Sequence, residues 1–369
     1  MWPIVYLLNC ILAFGLSLVL TRAAIAVSNR WQIVDHPGER KIHGTAVPVL
    51  GWTGIVGGVA GTILVNLLAL RGLHAFGALP ASLSETIGAH LPGISRKMPQ
   101  LIGILCGGVF IALAGFYDDK KKLSAGAKLA VQVVAALILL AAGVRIALFV
   151  PGALVGALLT VLWVVTVINA FNLMDNMDGL AGGVAAIACL IFFCSVSAFG
   201  QFFVSTLLAI FIGSLLGFLR YNVNPARIFM GDGGSMFTGY MIAALTIVST
   251  FYNKAAPTHF PVVMPLVILA VPLYDTLSVI VIRVGNRKPV YVGDTNHFSH
   301  RLVALGFSER GAVSFIYLVT FCAGVSALYL PSLSLPGALL VCAQTAAVLV
   351  IVAVLEYAGK KRLSNEKKM

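Results

Sequence analysis

The chain has 369 residues, of which 59% are hydrophobic and 10% charged, with a mean hydropathy of +0.98 and a formal net charge of +12. A soluble domain carries about 25% charged residues, so this composition excludes a soluble enzyme, a disordered chain and a nucleic-acid-binding module. The solvent for most of the surface is a lipid bilayer, and in that setting a basic excess reports topology rather than nucleic acid.

A bilayer-spanning helix needs about 20 largely apolar residues. Eleven segments meet or approach that length: 3–26, 48–70, 100–116, 127–143, 153–173, 180–199, 201–219, 235–252, 261–283, 312–330 and 333–357. The tight 199–201 junction leaves ten as the alternative count. The prediction is an all-α polytopic membrane protein, one membrane-embedded domain over 1–369 that ends in a basic tail, 358–369. The six cysteines all fall inside apolar runs without metal or redox spacing and read as small hydrophobes. Met1-Trp2-Pro3 places no basic stretch before the first apolar run, so a cleaved signal peptide is not expected.

Eleven spans put the termini on opposite sides. With the N-terminus outside, the loops 27–47, 117–126, 174–179, 220–234 and 284–311, together with the tail and the flanking Arg22, Lys128 and Arg283, gather twenty of the 25 Lys and Arg residues. The positive-inside rule assigns that side to the cytoplasm. Of the 13 acidic residues, only Glu85 lies on the other face. Acids contribute little to orientation, so their segregation points to a cytoplasmic active site.

Four motifs carry chemistry. Asp118-Asp119-Lys120-Lys121-Lys122 closes the third segment, with Lys128 opening the next. Adjacent carboxylates repel unless a cation or proton relieves them, which fits a metal or phosphate site as well as a solvated charge run. In the second motif Asn169, Asn172, Asp175 and Asp178 recur every three residues, so the first three share one helical face before Asp178-Gly179 turns the chain. So many polar groups on one stripe near lipid are costly and mark a function. The third, Gly231-Asp232-Gly233-Gly234-Ser235, surrounds one acid with glycines that let backbone approach a ligand. The fourth combines Asp275 in the ninth segment, where Arg283 is a candidate partner, with Asp294, His297, His300 and Arg301, which resemble a phosphate grip; two histidines without cysteine make a poor zinc site. Hard oxygen donors on one face suit Mg²⁺ bound together with substrate phosphates.

These motifs resemble those of the polyprenyl-phosphate N-acetylhexosamine-1-phosphate transferases, which include the phospho-MurNAc-pentapeptide translocases and the GlcNAc-1-phosphate transferases. The likeness runs from Val34 to Leu302 and covers Val34-Asp-His-Pro-Gly-Glu-Arg-Lys-Ile-His43, Asp118-Asp119, Asn169 to Gly179, Phe229 to Ser235, and the histidine loop. The ending His300-Arg301-Leu302 is closer to the GlcNAc-1-phosphate branch. Trp52, Asn176 and Ser299 depart from the usual pattern, where the family has glycine, glycine and histidine.

The resemblance implies transfer of a HexNAc-1-phosphate, most simply GlcNAc-1-phosphate, from a UDP-HexNAc to undecaprenyl phosphate. The products would be UMP and the lipid-linked sugar that begins a cell-envelope polysaccharide such as an O-antigen of lipopolysaccharide. It implies Mg²⁺, with Mn²⁺ as a substitute, held by Asp232 and Asn172. Asp118, Asp119 and Lys128 would serve the acceptor, and Asn169, Asn172, Asp175 and Asp178 the nucleotide-sugar. His297, His300 and Arg301 would grip the diphosphate, with Ser299 tolerant of change. The bacterial inner membrane is the expected location, the partners are the bilayer and the two substrates, and a homodimer is compatible. Two other classes compete. An intramembrane aspartyl protease fits poorly, because Gly-Asp precedes Tyr274-Asp275 here, the reverse of that family's order. A transporter of anionic substrates needs polar groups near the midplane, whereas these charges collect on one face.

Overall fold

The structure is a computed structural model that describes residues 1–35, 46–75, 81–147, 152–251, 260–289 and 296–366, without the side chains of 72–75, 81–92, 94 and 360–366. Most of the Val34–His43 motif, and Asp294, lie outside the described residues. Thirteen helices account for nearly all of what is described: α1 (Trp2–Trp31), α2 (Trp52–Ala75), α3 (Ala81–Lys121), α4 (Ala125–Ala141), α5 (Ala153–Met174), α6 (Leu180–Ala198), α7 (Phe202–Asn222), α8 (Gly231–Val248), α9 (Met264–Ile268), α10 (Ala270–Gly285), α11 (Phe298–Ala304), α12 (Glu309–Val325) and α13 (Leu335–Glu366). Each of the eleven apolar segments is helical over most of its described residues. Among the described residues, eight helices are long and apolar enough to cross a membrane, or nine if the bent α9–α10 unit is one span. The chain is therefore a polytopic, essentially all-α membrane protein. Of the remaining segments, α4 has 17 residues, and α8 opens on Asp232 and three glycines, which dilute its apolar character.

Short connections make consecutive helices antiparallel, and this delivers the motifs to one end of the bundle. Three residues join α3 to α4, where Lys122 adopts φ 48° and Ser124 caps α4 by accepting from the Ala127 N–H at 3.3 Å. The turn from α5 to α6 closes through Gly179 at φ 77°, a left-handed conformation that favours glycine. Loop 223–230 joins α7 to α8 at the same end. It is held there by backbone pairing, since the Phe229 N–H donates to the Pro48 carbonyl at 2.8 Å and the Gly51 N–H to the Phe229 carbonyl at 3.0 Å. The same chain segment forms the only β pairing described, a two-residue antiparallel match of β1 (Val34–Asp35) with β2 (Val47–Pro48).

Helices α6, α7 and α8 form the enclosed centre, with Phe171, Phe211, Phe218, Phe237 and Tyr240 fully buried among them. Helix α1 lies in the α2–α7 groove, and α3 packs on α8. The α3–α8 approach is close enough to demand glycine: a Cβ on Gly115 would lie 2.5 Å from the Asp232 carbonyl oxygen. The ninth segment is not straight. It breaks by 67° between Ile268 and Ala270, where Pro265 and Pro272 withhold backbone donors. The structure also continues α3 fourteen residues ahead of Ser95, where its apolar span begins.

Candidate active site

The C-terminus of α3, the N-termini of α4 and α8 and the C-terminus of α5 converge on one cluster. Lys128 is its hinge: its Nζ lies 2.5 Å from Asp118 Oδ2 and 2.9 Å from Asp232 Oδ2. Asp118 is buried, and its other oxygen accepts the Leu123 N–H at 2.6 Å, which ties the α3–α4 turn to the site. Asp119 caps α8 from outside, accepting the Asp232 N–H at 2.9 Å and the Gly233 N–H at 3.5 Å. A carboxylate at a helix N-terminus is favoured by the exposed N–H groups and the helix dipole. That approach requires Gly231, at φ 65°, because a Cβ there would come within 2.6 Å of Asp119 Oδ2.

Asn172 completes the core. Its Nδ2 donates to Asp232 Oδ1 at 2.7 Å and to Ser235 Oγ at 2.9 Å. One helical turn back, Asn169 exchanges amide hydrogen bonds with Gln132, at 2.7 and 3.2 Å, which locks α5 to α4 beneath Lys128. Asp175 ends α5. Burial first, then the charges of Asp232, Asp119 and Asp178, push its carboxyl well above the usual carboxylate range. The carboxyl groups of Asp118, Asp119, Asp175 and Asp232 thus gather around one lysine.

Among the described residues no three His, Cys, Asp or Glu side chains converge into a protein-only metal shell. Mg²⁺ commonly takes one or two protein carboxylates and fills its remaining positions with water and substrate phosphate. Asp232 and Asn172, the pair expected from the resemblance, are adjacent, and Asn172 turns its amide nitrogen rather than its oxygen toward Asp232.

Other expected residues are placed differently. Asp178 faces the α7–α8 loop, accepting the Ala226 N–H at 2.8 Å and Asn224 Nδ2 at 3.1 Å. His297 is buried, with Nδ1 3.0 Å from Asp275 Oδ2, and the Phe298 N–H donates to Asp275 Oδ1 at 2.6 Å. Asp275 thus caps α11 and orients the histidine, a role its 22-residue separation hides in the sequence. The Arg301 fork is already engaged: Nε donates to Glu356 Oε1 at 2.9 Å, Nη2 to Ser278 Oγ at 2.9 Å, and Nη1 to the Asn296 carbonyl. Tyr274 Oη donates to the other Glu356 oxygen at 3.0 Å, so α13 holds the histidine helix through a residue that no motif singled out. Ser299, expected to tolerate change, is buried and donates to Asn176. Trp52 packs at 5.6 Å between ring centroids on Phe116 and lines the glycines after Asp232.

A groove of about 1690 Å³ opens from this cluster. It starts at Lys128 and Asn172 and runs between α4, α5 and the bent α9–α10 unit to Arg145 and Thr250, at the opposite ends of α4 and α8. Its walls are mainly apolar, with Leu129, Leu162, Leu266 and Leu277 exposed along it.

The structure is thus a polytopic helical protein in which a carboxylate–lysine cluster at one end of the bundle is continuous with an apolar groove. The description "Glycosyl transferase family 4" matches residues 101–250. The chain is similar to a Bacillus subtilis (strain 168) protein named "Probable undecaprenyl-phosphate N-acetylglucosaminyl 1-phosphate transferase", at 32% identity over 338 residues, covering 88% of this chain and 86% of that one. It is also similar to a Mycobacterium leprae (strain TN) "Decaprenyl-phosphate N-acetylglucosaminephosphotransferase", at 30% identity over 79% of this chain and 75% of that one. A shorter stretch of 68 residues is 47% identical to a Chlamydia trachomatis serovar L2 "Phospho-N-acetylmuramoyl-pentapeptide-transferase", covering 18% of this chain and 20% of that one. The chain belongs to this family, the polyprenyl-phosphate N-acetylhexosamine-1-phosphate transferases of glycosyl transferase family 4.

Proposed function

We propose that this protein transfers GlcNAc-1-phosphate from UDP-GlcNAc to undecaprenyl phosphate, releasing UMP. The observation that carries the reading is the continuity of the Lys128–Asp118–Asp232 cluster with the apolar groove: a phosphate at the cluster leaves its lipid tail a path along the membrane. The names of the Bacillus and Mycobacterium relatives support the sugar and the acceptor class.

In this reading an oxygen of the acceptor phosphate attacks the β-phosphorus of the nucleotide-sugar. A new P–O bond forms, the bond from the β-phosphorus to the bridging oxygen breaks, and that oxygen leaves on UMP. Catalysis of this kind rests on positioning and charge neutralisation. A phosphate monoester has a second pKa near 6 and is already a nucleophile at neutral pH. Lys128 draws the acceptor phosphate to the mouth of the groove. Asp118 and Asp119 hold the α3–α4 turn and the start of α8 in register with it, and Asp175 borders the nucleotide-sugar. His297, oriented by Asp275, and His300 face the diphosphate as hydrogen-bond donors. Asp232 and, with its amide turned to present the oxygen, Asn172 would hold Mg²⁺, or Mn²⁺ in its place, and the bound cation would supply positive charge to the diphosphate.

The proposed topology has eleven spans, counting α4, α8 and the bent α9–α10 unit, with the N-terminus outside and the cluster in the cytoplasm. The location is the bacterial inner membrane, and the product begins a cell-envelope polysaccharide. Purified protein with undecaprenyl phosphate and UDP-GlcNAc tests the reading: it predicts stoichiometric UMP and lipid-diphospho-GlcNAc, and failure with every UDP-HexNAc overturns it.

A further inference from the structure

Helix α11 is only seven residues long, too short to hold its position by its own hydrogen bonds. Its place depends on side-chain ties to other elements. Asp275 of α10 fixes its first turn through His297 and the Phe298 N–H, and Glu356 of α13 and Ser278 of α10 hold Arg301 near its end. Neither tie reaches the carboxylate cluster. A third tie reaches the turn that follows Asp175: Ser299 Oγ donates to Asn176 Oδ1 at 2.5 Å, joining positions 123 residues apart. Ser299 is 1% exposed, so water does not replace this partner. The amide is aimed by its own bonds, because Asn176 Nδ2 donates to the Leu173 carbonyl at 2.8 Å and its backbone N–H to the Met174 carbonyl at 2.8 Å. Asn176 sits between Asp175 and Asp178, on the turn that carries Asp175 to the cluster. Ser299 sits between His297 and His300. The two departures noted in the acid turn and the histidine loop thus meet face to face.

We infer that Asn176 and Ser299 form a latch that sets the histidine helix against the acid turn, as a pair of positioning residues for the transfer reaction. The inference rests on the proposed reaction for its kinetic readout only. With the latch closed, the two histidines keep a fixed distance from Asp175, so the diphosphate is gripped between them. With it open, α11 stays attached at Asp275 and Glu356 but shifts relative to the turn. Substrate still enters, and the fraction held in reacting geometry falls.

A double-mutant cycle tests this. Asn176→Ala and Ser299→Ala are each expected to lower kcat roughly 10-fold with the acceptor KM little changed, and the double variant to lose no more than the worse single one, because one shared interaction is removed once. Ser299→Thr, which keeps a hydroxyl, should recover part of the rate. Proximity is read independently of activity. An Asn176→Cys/Ser299→Cys pair should cross-link within one chain under mild oxidation, detected by mass spectrometry of the linked peptides. Losses that multiply to roughly 100-fold, unchanged singles, or no cross-link in folded protein would each overturn the latch. If Ser299→Ala does not fold, a folded Asn176→Ala with unchanged kcat overturns it alone. A cross-link in a protein whose wild type transfers no sugar supports the latch geometry and refutes the reaction instead.

Discussion

Replacing Lys128 with methionine keeps the stem of the side chain and removes the one charge that separates Asp118 from Asp232. The lysine nitrogen lies 2.5 Å from one carboxylate and 2.9 Å from the other, with side-chain exposures of 26% for Lys128, 6% for Asp118 and 31% for Asp232. Removing one partner of a buried ion pair costs about 3–5 kcal/mol, and the partial exposure of Lys128 and Asp232 brings the expected loss to the lower end, about 3 kcal/mol. The penalty is the repulsion of two ionised carboxylates, so it shrinks as the pH falls and either one takes up a proton. Lys128→Arg retains the charge and should lose far less. The assay is thermal unfolding of wild type and both variants in one detergent at pH 5 and pH 8, beside turnover at saturating substrates. The expected result is a lower midpoint for Lys128→Met at pH 8, a smaller gap at pH 5, and a kcat reduced at least ~100-fold, about 2.7 kcal/mol of barrier. An unfolding midpoint equal to wild type at pH 8 would refute the reasoning, because the cluster would then hold together without its cation.

Four further outcomes follow from the same geometry. Asp232→Asn keeps the side chain's shape beside Lys128 and Asn172 and should abolish turnover while the protein stays folded; near-normal activity at saturating Mg²⁺ would remove Asp232 from the metal site. The raised carboxyl of Asp175 carries a proton more readily in the folded than the unfolded chain, so its contribution is present at low pH and lost as pH rises through the folded value. Asp175→Asn should therefore unfold at a higher temperature than wild type at pH 8, show no such gain near pH 3, and turn over far more slowly; a stability gain independent of pH would contradict this. Leu162→Trp narrows the groove and should raise the KM for undecaprenyl phosphate with the KM for UDP-GlcNAc unchanged, measured by initial rates. Cysteines introduced at Leu73 and Lys121 should label from opposite sides of the membrane, and labelling of both from one side would dismantle the topology.

Hydropathy made the helices legible because a membrane span must satisfy its backbone internally and face lipid with apolar side chains. The same constraint made the acids at 118, 119, 175 and 232 conspicuous, since an ionised group near lipid needs a reason. What hydropathy does not encode is pairing across the bundle. Asp178 reads like a site residue by spacing, yet its oxygen accepts from Ala226 and Asn224. Arg301 reads like a free phosphate fork, yet it is held by Glu356, 55 residues away on α13. Ser299 reads like a weaker histidine and proves to be half of a buried contact. Gln132, within an apolar run, carries no motif and is recognised only through its amide exchange with Asn169. The 67° break at Leu269 was written in Pro265 and Pro272, but two prolines seven residues apart also suit a gently kinked span. A polar residue's partner is set by tertiary packing, and local sequence reports only that a partner is required.

In the proposed reaction one lipid phosphate and one nucleotide-sugar meet at the Lys128–Asp232 cluster. Purified protein incubated with undecaprenyl phosphate, Mg²⁺ and UDP-GlcNAc labelled with ³²P at the β position tests it most directly. The label should appear in the lipid fraction, with one unlabelled UMP released per labelled lipid, while Asp232→Asn abolishes the transfer and Lys128→Met slows it at least ~100-fold. Label retained in the aqueous fraction, or transfer that survives both substitutions, would contradict it.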